Sequence, residues 1–128
     1  MLCKRAKEII KLKSASGIKL PDDEILSELF LEAMLWVASK CSPNELLERY
    51  RSPNMRVFRN LGDDVFIRIP KKPNFNDENE HLEIDESLSY AVINEVLFRL
   101  NKEPFYRQIA LEIIGDYVAN DAKVIDVF

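Results

Sequence analysis

Glycine is scarce, histidine almost missing, and long apolar runs do not occur. The 128 residues include 3 glycines and 1 histidine. With so few glycines, no phosphate-cradling glycine loop or nucleophile elbow is present. One histidine cannot supply the paired Glu-x-x-His motifs of a di-iron bundle. The 2 cysteines, Cys3 and Cys41, stand far apart in no metal or redox spacing, which points to free thiols in a reducing compartment. No apolar run reaches about 18 residues, so no membrane span is expected. No apolar signal-peptide segment follows the basic start. These absences leave no pattern that identifies an enzyme, and the expected catalytic residues, metal ligands and cofactors are none.

The lone histidine, His81, lies in a polar loop beside Glu80 and Glu83. A general base needs a placed partner and a pocket, so His81 reads as plain surface. Asp77-x-Asn79-x-His81 has the look of a calcium loop, but it lacks the glycine at its sixth position. Leu88 stands where the bidentate glutamate would be needed.

What is present is an ordinary globular composition, 47% hydrophobic and 31% charged, long enough for one domain. The net charge of −4 hides a block pattern: +5 over residues 1–19, −4 over 20–54, +3 over 55–73 and −8 over 74–128. Such blocks either meet head to tail between copies, where opposite patches fix register, or form separate solvated faces.

Residues 3–14 read as a short basic amphipathic helix with Ala6, Ile9 and Ile10 on neighbouring turns. The strongest helical stretch is 21–41. Pro21, Asp22, Asp23 and Glu24 suit its N-terminus, and Leu26, Leu29, Phe30, Ala33, Met34 and Val37 form its stripe. Ile25, Leu31, Leu35 and Trp36 widen that stripe, as in a helix that is central or covered by a neighbouring subunit. Ser42-Pro43-Asn44-Glu45 has the form of a capping box opening a short helix to about Arg51. Helices are also expected over 86–101, with Asp85 as N-cap, and from about Phe105 to Ala119. Their short connection favours antiparallel packing.

Two segments break the helical pattern. Met55–Phe58 and Val65–Ile69 are strand-prone and flank the turn Leu61-Gly62-Asp63-Asp64. Arg56, Arg59 and Arg68 decorate this ribbon, and Phe66 lies within it. A lone hairpin is marginal in water, so it should rest on the helices or gain strands from another copy. Residues 70–86 read as an exposed polar connector. The last residues, 121–128, place Val124, Ile125, Val127 and Phe128 in a strand-like arm that packs on its own core or docks on a neighbour. The expected fold is mainly α: a small bundle of four to five helices with one protruding β-hairpin and an extended C-terminal arm, in a single domain over 1–128. Within it, 1–19 form the basic helix and linker, and 20–120 the bundle with hairpin 55–69.

The order of parts, with Glu83-Ile84-Asp85-Glu86-Ser87-Leu88-Ser89-Tyr90-Ala91-Val92 opening a helix after a ribbon and loop, resembles head-to-tail connector (adaptor) proteins of tailed bacteriophages and prophages. The resemblance covers roughly residues 20–120, and the basic N-terminal helix does not map onto it. It implies a non-enzymatic virion subunit, made in the host bacterial cytoplasm, that forms a homo-oligomeric ring between portal and tail or neck proteins. DNA would pass nearby. Arg56, Arg59, Phe66 and Arg68 would then serve the oligomer interface, and Val124, Ile125, Val127 and Phe128 would form the docking arm. The alternative is a small phage-encoded regulatory or nucleic-acid-associated binding protein. It would use Lys4, Arg5, Lys7, Lys11, Lys13 and Lys19, or the ribbon arginines with Lys71 and Lys72, against phosphate. No polar recognition helix supports base reading.

Overall fold

A computed structural model of the chain describes residues 1–126, with side chains through residue 120. Helix α1 spans Cys3–Lys13 and buries Cys3, Ala6, Ile9 and Ile10, the face set by its apolar spacing. It ends where the Ser14 hydroxyl donates back to the Ile10 carbonyl at 2.7 Å. Helix α2, Asp23–Lys40, starts at Asp22, whose carboxylate accepts from the Ile25 amide at 3.0 Å. It buries Leu26, Phe30, Ala33, Met34 and Val37 on one face.

Helix α3, Ser89–Asn101, takes the central place that its composition alone did not single out. It packs on α1, α2 and α4, and every residue from Ala91 to Leu97 is buried. A 3₁₀ turn over Glu86–Leu88 precedes it. Lys102 stops it in the left-handed conformation, with φ of 60°. Helix α4 begins two residues later and runs Pro104–Asp126. Arg107 near its start meets Glu95 in the middle of α3, and Tyr117 further on meets Asp85 before α3. The pair is therefore antiparallel, as the short connection requires. The helix continues past the expected end at Ala119, so the backbone of 121–126 is helical rather than extended. The side chains of Val124 and Ile125, and all of Val127 and Phe128, lie outside the described residues.

The segment after α2 departs from the capping-box expectation. Residues Asn44–Leu46 make one 3₁₀ turn, and Leu47–Glu48 then form strand β1. Strand β2 is Val57–Gly62 and β3 is Val65–Arg68. The sheet order is β1-β3-β2, all antiparallel. The hairpin therefore gains its third strand from its own chain. Leu46, buried against Ala38 and Ile67, draws this stretch off a helical path and onto the sheet. The hairpin turn is two residues, Asp63 and Asp64, with φ of 53° and 62°. Left-handed values at both positions give the turn whose twist matches the strands.

Register sorts the faces of the sheet. Leu47, Ile67 and Arg59 are cross-strand neighbours, as are Glu48, Phe66 and Asn60. Ile67, with Ala38, Leu46, Leu47 and Phe58, forms a small second core. The main core is built from α1 to α4 and from the connector.

That connector was expected to be an exposed polar loop, and its apolar residues overturn this. Phe75, Leu82 and Ile84 are buried in the main core. Phe75 meets Phe30 edge-on, ring centroids 5.5 Å apart. Its backbone is also anchored: Leu2 and His81 form an antiparallel bridge, and the Leu82 amide donates to the Met1 carbonyl at 2.9 Å.

Candidate functional site

Charge decides what this surface can do, and part of it is already ion-paired within the chain. Glu95 is wholly buried on α3. Arg107 donates to it through Nε at 3.0 Å and Nη2 at 2.7 Å, and Arg99 through Nε at 2.9 Å. Arg99 also reaches Glu32 at 3.0 Å. The Arg107 guanidinium lies over Phe98 at 4.3 Å and over Trp36 at 5.1 Å. The hydrogen bond to Glu95 holds Arg107 even more firmly protonated. This cluster closes on itself and ties α2, α3 and α4 together.

A second knot fastens the sheet to the body. The Asp85 carboxylate, expected to cap its own helix, instead accepts from the Asn44 amide at 3.1 Å, the Glu45 amide at 2.8 Å and the Tyr117 hydroxyl at 2.6 Å. It thus satisfies the free amides of the 3₁₀ turn before β1. Burial, and then the Asp85 charge, push the Glu45 carboxyl above its ordinary value.

Half of the basic N-terminal block meets acids of its own chain, while Lys11, Lys13 and Lys19 are in no ion pair among the described residues. Lys4 pairs with Glu78 at 3.3 Å, and Lys7 with Asp23 at 2.7 Å. Lys71 pairs with Glu80 at 2.5 Å and Lys72 with Glu28 at 2.7 Å. Burial works against the Glu80 carboxylate, but hydrogen bonds from Lys71 and the Asn74 amide outweigh it, so its pKa is lowered. Burial, and next the Glu80 charge, push the Cys3 thiol up to about 11. Cys3 and Cys41 are both buried, and Cys3 is held in its unreactive neutral form.

The four ribbon residues expected at an interface divide. Arg59 donates to the Cys41 carbonyl at 2.8 Å and the Ser42 hydroxyl at 3.3 Å, with its Nε buried and unpaired. Arg68 bonds Glu48 at 3.3 Å, Glu83 at 3.1 Å and the Glu45 carbonyl at 3.3 Å. Phe66 is 5% exposed. These three serve the chain's own sheet, and Arg56 alone is exposed.

The segment joining β1 to β2 supplies what the ribbon does not. Arg49 and Arg51 are exposed, and Tyr50 between them is 87% exposed. Arg49, Arg51 and Arg56 take part in none of the ion pairs among the described residues. Arg49, Tyr50 and Arg51 line an open cleft of about 560 Å³ together with Val57, Asn60, Asp63, Asp64 and Phe66. In sequence this tripeptide was hidden inside the helix expected from the capping box. The visible signal was Arg-Tyr-Arg directly before Ser52-Pro53, where a helix could not continue.

A second exposed patch lies on α4. Leu111 and Val118 are 45% and 46% exposed. Glu112 and Asp116 are exposed between them and pair with no cation among the described residues. Asp116 also lines a shallow cleft of about 400 Å³ with Ser87, Ile113, Tyr117 and Asn120.

Among the described residues, no group of three or more acidic, histidine or cysteine side chains is placed to hold a metal ion. No helix among them is long and apolar enough to cross a membrane. No protein-family model, curated protein or solved structure matches the chain.

Proposed function

We propose that the chain is a non-enzymatic structural subunit of a phage virion, a head-to-tail connector (adaptor) that builds a ring between portal and tail. It would be made in the host bacterial cytoplasm and end in the virion. One observation carries this reading. At the sheet end a nearly bare tyrosine and three arginines have no ion-pair or ring partner among the described residues, while α4 presents acids that pair with no cation among them, beside exposed leucine and valine. Two unlike, complementary surfaces on one subunit are what head-to-tail repetition needs, because heterologous contacts close into rings when the rotation allows. The hairpin supports the same reading. Leu61, Gly62, Asp63 and Asp64 at its tip are exposed, while its base is fastened through Ile67, Arg59 and Arg68, so the tip is available for contact and its base is held.

Electron microscopy of the purified protein, alone and mixed with the portal of the same phage, tests the proposal. Annular particles that seat on the portal are the expected result. Solitary small particles at high concentration, with no portal complex, overturn it.

A second reading, a small phage-encoded regulatory or nucleic-acid-associated protein, is favoured by one feature. Arginines flank an exposed tyrosine, which suits phosphate contact with base stacking. Retention of a labelled oligonucleotide that falls steeply with salt, by a chain that stays monomeric, would select it.

A further inference from the structure

We infer that Arg49, Tyr50, Arg51 and Arg56 of one copy dock on the outer face of α4 of the next copy, against Glu112 and Asp116. The inference rests on the ring reading above and names its interface. The occupant of the sheet-end patch is a second copy of this chain, and charge complementarity makes the case. The three arginines are exposed and in no ion pair among the described residues, and so are Glu112 and Asp116. Each side joins charge to apolar area. Tyr50 is 87% exposed on one, and Leu111 and Val118 are 45% and 46% exposed on the other. Aromatic and arginine side chains are the usual anchors of protein interfaces. The shallow cleft beside Asp116 is bounded by Ile113, Tyr117 and Asn120. It offers an apolar wall and polar rim suited to a phenol such as Tyr50.

A polyanion fits the patch less well. Asp63 and Asp64 line the same cleft as Arg49 and Arg51, so a phosphate backbone laid there meets two fixed negative charges. The chain as a whole carries −4, which repels nucleic acid at long range. The α4 face brings only Glu112 and Asp116 and surrounds them with apolar area, so it meets this repulsion at fewer points than a continuous phosphate chain does.

Charge reversal on each face separately, then on both, tests the pairing. One variant carries Arg49→Glu, Arg51→Glu and Arg56→Glu; a second carries Glu112→Lys and Asp116→Lys. All five positions are exposed and in no ion pair among the described residues, so circular dichroism and melting should match the parent chain. Size-exclusion chromatography with light scattering reads the assembly. Each variant alone should associate about a hundredfold more weakly, since like charges then face each other. The chain carrying all five changes, and an equal mixture of the two variants, should assemble again, because every contact is once more between opposite charges. Both variants assembling as the parent does would overturn this interface while leaving the ring reading intact. A parent chain that is monomeric throughout would overturn both. Loss of oligonucleotide retention in the arginine variant with assembly unchanged would reassign the patch to nucleic acid.

Discussion

The arginines of the helical body and those of the sheet end use the same side chain to opposite purposes. Arg99 and Arg107 converge on a carboxylate that is 0% exposed, and Arg107 is further covered by Phe98 and Trp36. Arg49, Arg51 and Arg56 stand in solvent and join none of the ion pairs among the described residues, although Asp63 and Asp64 line the same cleft as Arg49 and Arg51. A buried carboxylate needs its partners because an unpaired buried charge is among the costliest defects a fold can carry. An exposed arginine needs none, because water solvates and screens its charge. Burial assigns the first group to the fold and frees the second for contact.

The contrast can be broken most severely from inside. Glu95→Ala removes the buried carboxylate on which Arg99 and Arg107 converge, and since both arginines keep partial access to water it should destabilise the chain by about 2–4 kcal/mol, read by urea unfolding. The sheet comes next. Ile67→Ala opens the small core beside Ala38 and Leu46 and should cost about 2–4 kcal/mol. Amide exchange should rise across 57–68 more than in α3, because the sheet rests on that cluster and the bundle does not. Uniform loosening of both regions would show that body and sheet unfold as one unit.

The outline of this division was legible in the residues. The spacing of Ala6, Ile9 and Ile10, and of Leu26, Phe30, Ala33 and Val37, marked two buried helix faces, because a period near 3.6 leaves few alternatives. The hairpin was legible too, since β-branched and aromatic runs flank a Gly-Asp-Asp turn. Three things were hidden, each resting on a contact distant in sequence. Asp85 caps amides some forty positions earlier, so the capping box at Ser42 competed with a partner it could not reveal. Phe75, Leu82 and Ile84 are spaced irregularly among Asn, Asp and Glu, and only their docking on α1 and α2 makes them core. Arg59 and Arg68 look like free decoration until Cys41, Ser42, Glu48 and Glu83 are brought beside them. The ribbon arginines Arg59 and Arg68 are therefore used by the chain itself, and the proposed interface rests instead on Arg49, Tyr50 and Arg51 next door.

Smaller effects sharpen the contrast. The Cys3 thiol, raised from 9.0 to about 11, keeps its proton longer in the folded chain than in the unfolded one. Its contribution is full below pH 9.0 and is lost as pH rises through about 11. Thermal melts should fall over that window, and Cys3→Ala should flatten the decline. In the folded chain at neutral pH, Cys3 should react with a thiol reagent far more slowly than it does in urea. Glu80 has the opposite sign. With its pKa lowered, its contribution is present above its ordinary 4.5 and is lost as pH falls through the folded value. Glu80→Gln should make the acid limb of the melting curve less steep. Least of all, Asp64→Gly should stabilise the hairpin by about 0.5–1 kcal/mol, because glycine adopts its φ of 62° without strain.

The central claim is that these two kinds of arginine divide the work of folding from the work of assembly. Sedimentation velocity of the unaltered chain, across protein concentration and at low and high salt, tests it most directly. The account predicts species well above 14.9 kDa that dissociate as salt rises while far-UV circular dichroism stays constant. A single species of one chain's mass at every concentration and every salt would contradict it.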